Sequence, residues 1–108
     1  MAEVEISPIA RADLREIGDY ISHELRNPTA ALRLIQRFRK AIRSLGEFPN
    51  MGAPLLSTGK QNVPYRTLVC GSYVIFYHVS SDTVRIDRVL YGRRDYLALL
   101  FGDRLEDE

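Results

Sequence analysis

Apolar residues recur at every third or fourth position in two stretches of the N-terminal half, a spacing that predicts two amphipathic helices. The first begins after Ser7-Pro8 and runs to about Leu25, and the second begins after Asn27-Pro28 and closes at Gly46. In both pairs the polar side chain can accept an amide hydrogen bond, and proline has no amide hydrogen to leave unpaired. Because one or two residues separate the helices, an antiparallel hairpin is expected. The apolar stripe of the first helix is Leu14, Ile17, Tyr20, Ile21 and Leu25, and the predicted core face of the second is Ala31, Leu34, Ile35, Phe38, Ala41, Ile42 and Leu45.

The C-terminal half changes to the short apolar runs that are typical of strands. Residues 65–70, 73–79 and 84–91 fit this pattern, and tight turns at Gly71-Ser72 and at residues 80–83 separate them. The middle run is apolar at nearly every position, which predicts a strand with a neighbour on each side. A three-stranded antiparallel meander follows from this order.

Shorter signals complete the prediction. Residues 3–6 alternate polar with apolar and form a brief strand that must pair elsewhere, whereas residues 47–64 are rich in Pro, Gly, Asn and Ser and predict a surface connection. In the last strand the apolar residues change from even positions, Val84 and Ile86, to odd positions, Val89 and Tyr91. A bulge is therefore expected near Asp87-Arg88. A short apolar helix is expected after Gly92. The fold class is therefore α+β.

Length and composition limit the function classes. The 108 residues predict a single domain over residues 1–102, and the last six residues, with four acids and one arginine, predict a frayed tail at 103–108. No apolar run is long enough to cross a bilayer and no signal peptide is recognisable, so a cytoplasmic protein without membrane contact is expected. The single cysteine, Cys70, has no partner for a disulfide or metal site and agrees with a reducing compartment.

The net charge of +1 averages over an uneven chain, because the second helix is strongly basic. Arg33, Arg37 and Lys40 share one predicted outward stripe, and Arg39 and Arg43 share another. Two interpretations remain open for these stripes: a solvated helix face, or a surface for an acidic partner.

Four segments carry a resemblance to a known family. In chain order they are Ala10-Arg11-Ala12-Asp13-Leu14, Phe48-Pro49-Asn50-Met51-Gly52, Tyr65-Arg66 and Arg88-Val89-Leu90-Tyr91-Gly92-Arg93-Arg94-Asp95. On these segments the chain resembles the RelE/ParE superfamily of bacterial toxins over about residues 4–101, and the ParE branch more than the RelE branch.

The resemblance implies the toxin of a type II toxin-antitoxin pair that is neutralised by a co-expressed protein. ParE-like members inhibit DNA gyrase, and RelE-like members cleave messenger RNA on the ribosome. A ParE-like toxin implies gyrase as the target and a ParD-like antitoxin with a ribbon-helix-helix DNA-binding domain. No cofactor, no metal and no direct sequence-specific nucleic-acid binding are expected. A toxin-like fold that has lost its toxicity is a third possibility.

Tyr91, Arg93, Arg94 and Arg66 are the predicted target-binding residues. The alternative for the first three is structural, with Asp95 capping the last helix and pairing with an arginine. For Arg66 the alternative is a cross-strand ion pair. The predicted antitoxin contacts are Arg33, Arg37, Lys40 and Phe38, which would meet an acidic amphipathic segment that folds on binding.

No catalytic residue is expected if the protein acts by binding. Cleavage of RNA by its own 2′-hydroxyl needs a base, an acid and cations near the phosphate. Should the protein be an endoribonuclease, these roles fall to His78, Tyr91, Arg66 and Arg88. The alternative for His78 is a partly buried strand residue with no part in chemistry.

Overall fold

A computed structural model describes residues 1–55 and 65–92, where two helices pack on one face of a five-stranded sheet. The predicted α+β class, helical hairpin and meander are confirmed. The predicted C-terminal helix, the end of the domain and the acidic tail lie outside the described residues. The elements are β1 Glu3–Ile6, α1 Pro8–Asp19, a π-helical turn Tyr20–Glu24, α2 Pro28–Glu47, β2 Ala53–Pro54, β3 Arg66–Cys70, β4 Tyr73–Ser80 and β5 Thr83–Tyr91.

The strand order is β1-β5-β4-β3-β2. β1 pairs in parallel with β5, and the other neighbours are antiparallel. β2 was not predicted, because Ala53–Pro54 lies within the expected surface connection. Its backbone pairs with the edge of β3, and an edge strand tolerates the proline because one side of it needs no partner.

The predicted bulge is confirmed in β5. Phe76 lies opposite Arg88 and Tyr77 lies opposite Ile86, which leaves Asp87 as the extra residue. The bulge lets the inward parity change within one strand, so that Ile86 and Val89 are both buried.

The first helix has the predicted extent but a different last turn. α-Helical geometry ends at Asp19, and the Leu25 N–H donates to the carbonyl of Tyr20 at 3.2 Å, a bond that spans five residues. Arg26 has a φ of 51°, a left-handed conformation that stops the helix. At this end of the helix Tyr20 and Leu25, two residues of the predicted apolar stripe, are 54% and 55% exposed.

Gly46 does not end the second helix, and this prediction was wrong. α2 continues to Glu47, and the carbonyl of Gly46 accepts a hydrogen bond from Ala2 N at 2.9 Å. A Cβ at position 46 would lie 3.2 Å from the carbonyl oxygen of Ala2 and 3.3 Å from Val4 Cγ2. Glycine is therefore favoured here because the N-terminal segment approaches the helix closely.

Both predicted helix caps are confirmed. Ser7 Oγ accepts from Ala10 N at 3.0 Å, and Asn27 Oδ1 accepts from Ala30 N at 3.1 Å. Within residues 1–55 and 65–92, no helix has the length and apolar character needed to cross a membrane. The largest fully buried side chains come from α2, β4 and β5, and they are Phe38, Leu45, Ile75, Phe76, Tyr77, Val84, Ile86 and Val89.

Candidate functional site

Asp13 of α1 joins the first helix to the free edge of β5. β1 ends at Ile6, which pairs with Ile86, so beyond that point this edge of β5 has no strand partner among residues 1–55 and 65–92. The Asp13 carboxylate takes its place, accepting from Val89 N at 2.9 Å and from Arg88 Nε and Nη2 at 2.8 and 3.0 Å. The hydrogen bond to Asp13 raises the pKa of Arg88. This candidate catalytic cation is thus committed to a bidentate structural ion pair.

A groove of about 730 Å³ lies on one side of α1, between the helix with its π-helical turn and the ends of β4 and β5. We call it the tyrosine groove after Tyr20, Tyr73 and Tyr91, which line it together with Ile17, Ile21 and Leu25. The Tyr73 ring meets the Tyr91 ring edge to face, with centroids 5.7 Å apart. Burial raises the pKa of Tyr73, and its neighbours Tyr91 and Tyr20 raise it further.

The tyrosine groove is the surface on which the predicted target residue Tyr91 lies. Tyr91 is 40% exposed and Tyr20 is 54% exposed, so both rings are available to a partner. Arg93 and Arg94 follow Tyr91 closely in sequence but lie outside the described residues. The structure therefore places one of the three neighbouring target candidates.

A second groove, of about 630 Å³, lies on the other side of α1, between α1 and α2. We call it the basic groove, because Arg11 and Arg15 of α1 and Arg39 and Arg43 of α2 line it. Its apolar lining comes from Ile6, Leu14, Ile35, Phe38 and Ile42. The sequence indicated the pair on α2 as one stripe, and only the packing of the helices brings the pair on α1 beside it.

Arg66 holds the loop that follows α2. Its Nη1 donates to the carbonyls of Asn50 at 3.2 Å and Gly52 at 2.7 Å. The Tyr77 hydroxyl fixes the same loop, accepting from Gly52 N and donating to the carbonyl of Pro49, both at 2.9 Å. No ion pair of Arg66 occurs within the described part of the chain, so the cross-strand alternative is wrong.

His78 pairs with the bulge residue of β5. Its Nδ1 lies 2.6 Å from Asp87 Oδ2, and the two side chains are 24% and 17% exposed. The Tyr65 ring stands edge-on to the imidazole at a centroid distance of 6.0 Å. Burial raises the pKa of Asp87, and the hydrogen bond from His78 opposes this shift. His78 is thus a partly buried residue of β4, which agrees with the alternative given for it in the sequence analysis.

The four candidate catalytic residues do not form one site. Arg66 pairs in register with Tyr77 and so faces the helices, as Tyr91 does, whereas His78 follows Tyr77 and faces the other side of the sheet. The register places Arg66 and Tyr91 four residues apart along β4, roughly 13 Å at 3.3 Å per residue. Arg88 lies at the edge, bonded to α1.

The predicted antitoxin contacts separate into a surface stripe and a core residue. Arg33, Arg37 and Lys40 are exposed on α2. Phe38 is only 1% exposed, and its ring meets Tyr73 edge to face at 5.8 Å. The ring fills the core between α2 and the sheet, and Phe38 also lines the basic groove, so its contact with an antitoxin stays a prediction.

Metal ligands and the single cysteine were the remaining candidates for chemistry. Residues 1–55 and 65–92 contain no cluster of three or more His, Cys, Asp or Glu side chains that is able to hold a metal ion. Cys70 is buried, and burial raises the pKa of its thiol although Arg37 acts in the opposite direction. A raised thiol pKa disfavours the reactive thiolate.

Comparison with known proteins identifies the family. Residues 4–96 match the family model "ParE toxin of type II toxin-antitoxin system, parDE". The chain belongs to this toxin family. It is also similar to Toxin RelE2 of Caulobacter vibrioides, with 36% identity over 94 residues that cover 87% of this chain and 99% of the relative.

Solved structures agree with the family. This toxin is similar to a chain of the chromosomal ParDE toxin-antitoxin system from P. aeruginosa, with a TM-score of 0.69, 25% identity and coverage of 84% of this chain and 96% of that chain. A chain of the RelBE2 toxin-antitoxin complex from Mycobacterium tuberculosis gives a TM-score of 0.55 at 21% identity, covering 83% and 96%. The isolated RelE toxin of E. coli gives a TM-score of 0.53 at 17% identity, with coverage of 97% of this chain and 99% of that chain. The last two likenesses concern the fold alone.

Proposed function

We propose that this toxin binds DNA gyrase and inhibits it without making or breaking bonds itself. The observation that carries the proposal is the separation of the candidate catalytic residues. His78 and Tyr91 lie on opposite faces of the sheet, and the guanidinium groups of Arg66 and Arg88 are engaged in structural hydrogen bonds. An acid, a base and cations that lie on different parts of the sheet cannot act together on one phosphodiester bond.

The proposed contact with gyrase is the tyrosine groove and the chain that leaves it. Tyr91 offers an aromatic ring on a rigid strand, and Arg93 and Arg94 follow it closely in sequence. Tyrosine and arginine are enriched among the residues that carry binding energy at protein interfaces. Arg66 is proposed to act at a distance, by fixing the loop at residues 49–52. Membership of the ParE family supports gyrase as the target.

The proposed neutralising partner is a ParD-like antitoxin with a ribbon-helix-helix DNA-binding domain, which meets the toxin in the cytoplasm. Membership of the family and the similarity to a chain of the P. aeruginosa ParDE system support an antitoxin partner. Arg33, Arg37 and Lys40 are exposed cations on α2, and they are proposed to meet acidic side chains of that antitoxin.

A supercoiling assay tests the target. Purified toxin is added to gyrase and relaxed plasmid, and in parallel to a translating extract whose transcripts are followed for cleavage. We expect inhibited supercoiling and intact transcripts. Changing Arg93→Ala together with Arg94→Ala should abolish the inhibition, whereas His78→Ala should leave it unchanged.

A RelE-like endoribonuclease that acts on the ribosome is the second candidate, and the name of the RelE2 relative favours it. It predicts cleaved transcripts, untouched supercoiling and loss of growth arrest in His78→Ala. Cleavage in the extract with normal supercoiling would therefore overturn the binding mechanism and select the enzyme.

A further inference from the structure

We infer that the tyrosine groove binds a cationic side chain, a lysine or arginine that an apolar segment of the target inserts between Tyr20, Tyr73 and Tyr91. The inference rests on the proposed function in one respect, since it assigns that segment to DNA gyrase. It adds the chemistry of the ligand, which the proposed function leaves open.

The three tyrosines come from different elements and meet at one groove. Tyr20 begins the π-helical turn, Tyr73 begins β4 and Tyr91 ends β5. The rings of Tyr73 and Tyr91 stand at 66° to each other with their centroids 5.7 Å apart. Burial raises the pKa of Tyr73, and the two other tyrosines raise it further, so all three lie near one another. Converging aromatic rings form the aromatic cages with which proteins hold ammonium groups.

The wall of this aromatic cage on the sheet is fixed before any ligand arrives. Tyr73 and Tyr91 are paired in the register of β4 and β5, and the Phe38 ring meets Tyr73 edge to face at 5.8 Å. The apolar lining continues from the cage along Ile17, Ile21 and Leu25. A volume of about 730 Å³ therefore accommodates one long cationic side chain together with apolar residues beside it.

The charge around the tyrosine groove selects a cation. Asp13 and Glu16 are the charged residues of its described lining, and both are acids. Arg88 offsets the charge of Asp13, whereas Glu16 forms no ion pair within residues 1–55 and 65–92. The first helix also ends beside the groove, and the carbonyl end of a helix favours positive charge. A lysine or arginine side chain interacts favourably with the rings, the carboxylate and the helix end at once.

Other ligands fit this lining less well. A carboxylate would approach Glu16 with like charge, and no Lys or Arg of the described lining would compensate for it. A nucleic acid could stack its bases on the rings, but its phosphates would meet the same repulsion. A purely apolar segment would leave Glu16 without a partner.

Three peptides that differ at one central residue test the proposal on the full-length toxin. Leucines surround the central residue, which is lysine in the first peptide, norleucine in the second and glutamate in the third. Norleucine keeps the apolar chain of lysine but lacks its ammonium group. Binding is followed by NMR, from the ring resonances of the tyrosines. We expect the lysine peptide to bind at least about tenfold more tightly than the norleucine peptide, and the glutamate peptide to bind most weakly.

Variants locate the binding. Tyr20→Leu keeps an apolar side chain but removes one ring, and it should weaken the lysine peptide by about tenfold, whereas Tyr20→Phe should cost less than about threefold. Glu16→Gln should weaken the lysine peptide several-fold and leave the norleucine peptide unchanged. Phe48→Leu and Glu47→Gln make the same changes at exposed residues that do not line the groove, and each should change binding by less than about twofold.

A structural effect of these variants is distinguishable from loss of the cation site. Tyr20→Leu should bind the lysine and norleucine peptides almost equally, a loss of selectivity that altered packing alone would not produce. Thermal melting confirms that each variant folds. Should Tyr20→Leu fail to fold, Glu16→Gln decides alone.

A supercoiling assay separates this inference from the proposed target. An excess of the lysine peptide should relieve the inhibition of gyrase by the toxin, and the norleucine peptide should not. A wild-type toxin that leaves supercoiling untouched would overturn the gyrase proposal while selective binding of the lysine peptide stands. A toxin that inhibits gyrase equally with and without the bound lysine peptide would overturn the assignment of the inserted segment to gyrase.

Several results would overturn the cation site itself. Equal binding of the lysine and norleucine peptides would show that charge does not select the ligand, and full binding by a folded Tyr20→Leu variant would place the peptide elsewhere. Displacement of the peptide by an oligonucleotide would identify a nucleic-acid site, and a dimer that Tyr20→Leu dissociates would identify a second copy of this chain. A gain of about tenfold in affinity for Arg93→Ala with Arg94→Ala would identify an arginine of the toxin itself as the occupant.

Discussion

The tyrosine groove and the basic groove lie on opposite sides of α1, and their linings differ in charge. Four arginines and one acid, Asp19, line the basic groove, whereas the described lining of the tyrosine groove contains two acids and no Lys or Arg. Aromatic rings replace the cations there. One short helix therefore separates a surface suited to acidic partners from a surface suited to apolar contact.

The difference originates in the helical periodicity of α1. At about 100° per residue, Arg11, Leu14 and Arg15 turn toward α2, whereas Glu16 and Tyr20 turn toward β5. Asp13 lies on the side of the tyrosine groove, bonded to β5, and fixes the rotation of the helix. The contrast between the grooves thus depends on a few contacts that hold α1 in one orientation.

Removal of the Asp13 carboxylate should produce the largest effect on this arrangement. Asp13→Ala leaves Val89 N without its partner and Arg88 without its counter-charge, and we expect it to lower the free energy of unfolding by about 3 kcal/mol. Glu16→Ala, one turn further along the same helix and exposed, should cost less than about 0.5 kcal/mol. Urea denaturation measures both. A loss below about 1 kcal/mol for Asp13→Ala would show that other contacts orient the helix.

Truncation of Tyr91 tests the tyrosine groove as the target surface. Tyr91→Ala should weaken inhibition of supercoiling by about tenfold, because it removes an exposed ring from the proposed contact. Tyr91→Phe keeps the ring and should lose much less, unless the hydroxyl acts as a proton donor. Leu32→Ala is the control, since Leu32 is an apolar residue that is 59% exposed on α2 and lines neither groove. If Leu32→Ala weakens inhibition as much as Tyr91→Ala does, the tyrosine groove is not the contact.

Ionic strength should change the affinity of the antitoxin for a surface that includes the basic groove. Antitoxin binding is expected to weaken several-fold as ionic strength rises from about 0.05 to 0.5 M, because screening shortens the reach of the arginines. Arg11→Gln with Arg43→Gln should flatten this dependence, as measured by fluorescence anisotropy of labelled antitoxin. A salt dependence that stays as steep in the variant would assign the electrostatic attraction to cations outside the groove.

The smallest expected effect is the pH dependence of stability that comes from Asp87, the bulge residue of β5. Ser7 Oγ, which caps α1, donates to the carbonyl of Asp87 at 3.0 Å, and burial raises the pKa of the Asp87 carboxyl above its usual 3.8. The folded state therefore holds this proton more tightly than the unfolded state does. The resulting stabilisation is complete below about pH 3.8 and is lost as the pH rises through the folded-state pKa.

The Asp87→Asn variant is the reference for this prediction, because an asparagine side chain does not titrate. The free energy of unfolding of the wild type minus that of Asp87→Asn should fall as the pH rises through this acidic range. Denaturation of both proteins at several pH values measures the difference. A difference that rises with pH would mean that the interaction with His78 outweighs burial.

Local patterns were sufficient to predict most of the fold. The caps at Ser7 and Asn27, the hairpin turn at Gly71 and the bulge at Asp87 depend on residues close in sequence, where side-chain chemistry and periodicity act directly. Gly46 was misread because its role is a close approach to Ala2, a residue far away in sequence. Local signals cannot distinguish a helix-ending glycine from one that makes room for a neighbour.

The sequence alone determined the two helices, the meander, their order and the family, because spacing and capping chemistry are properties of short segments. Only the tertiary structure decided which charges share a surface. It paired Arg88 with Asp13, and it brought Arg11 and Arg15 beside Arg39 and Arg43. These outcomes depend on how helices rotate and cross the sheet, and contacts between distant segments set that rotation.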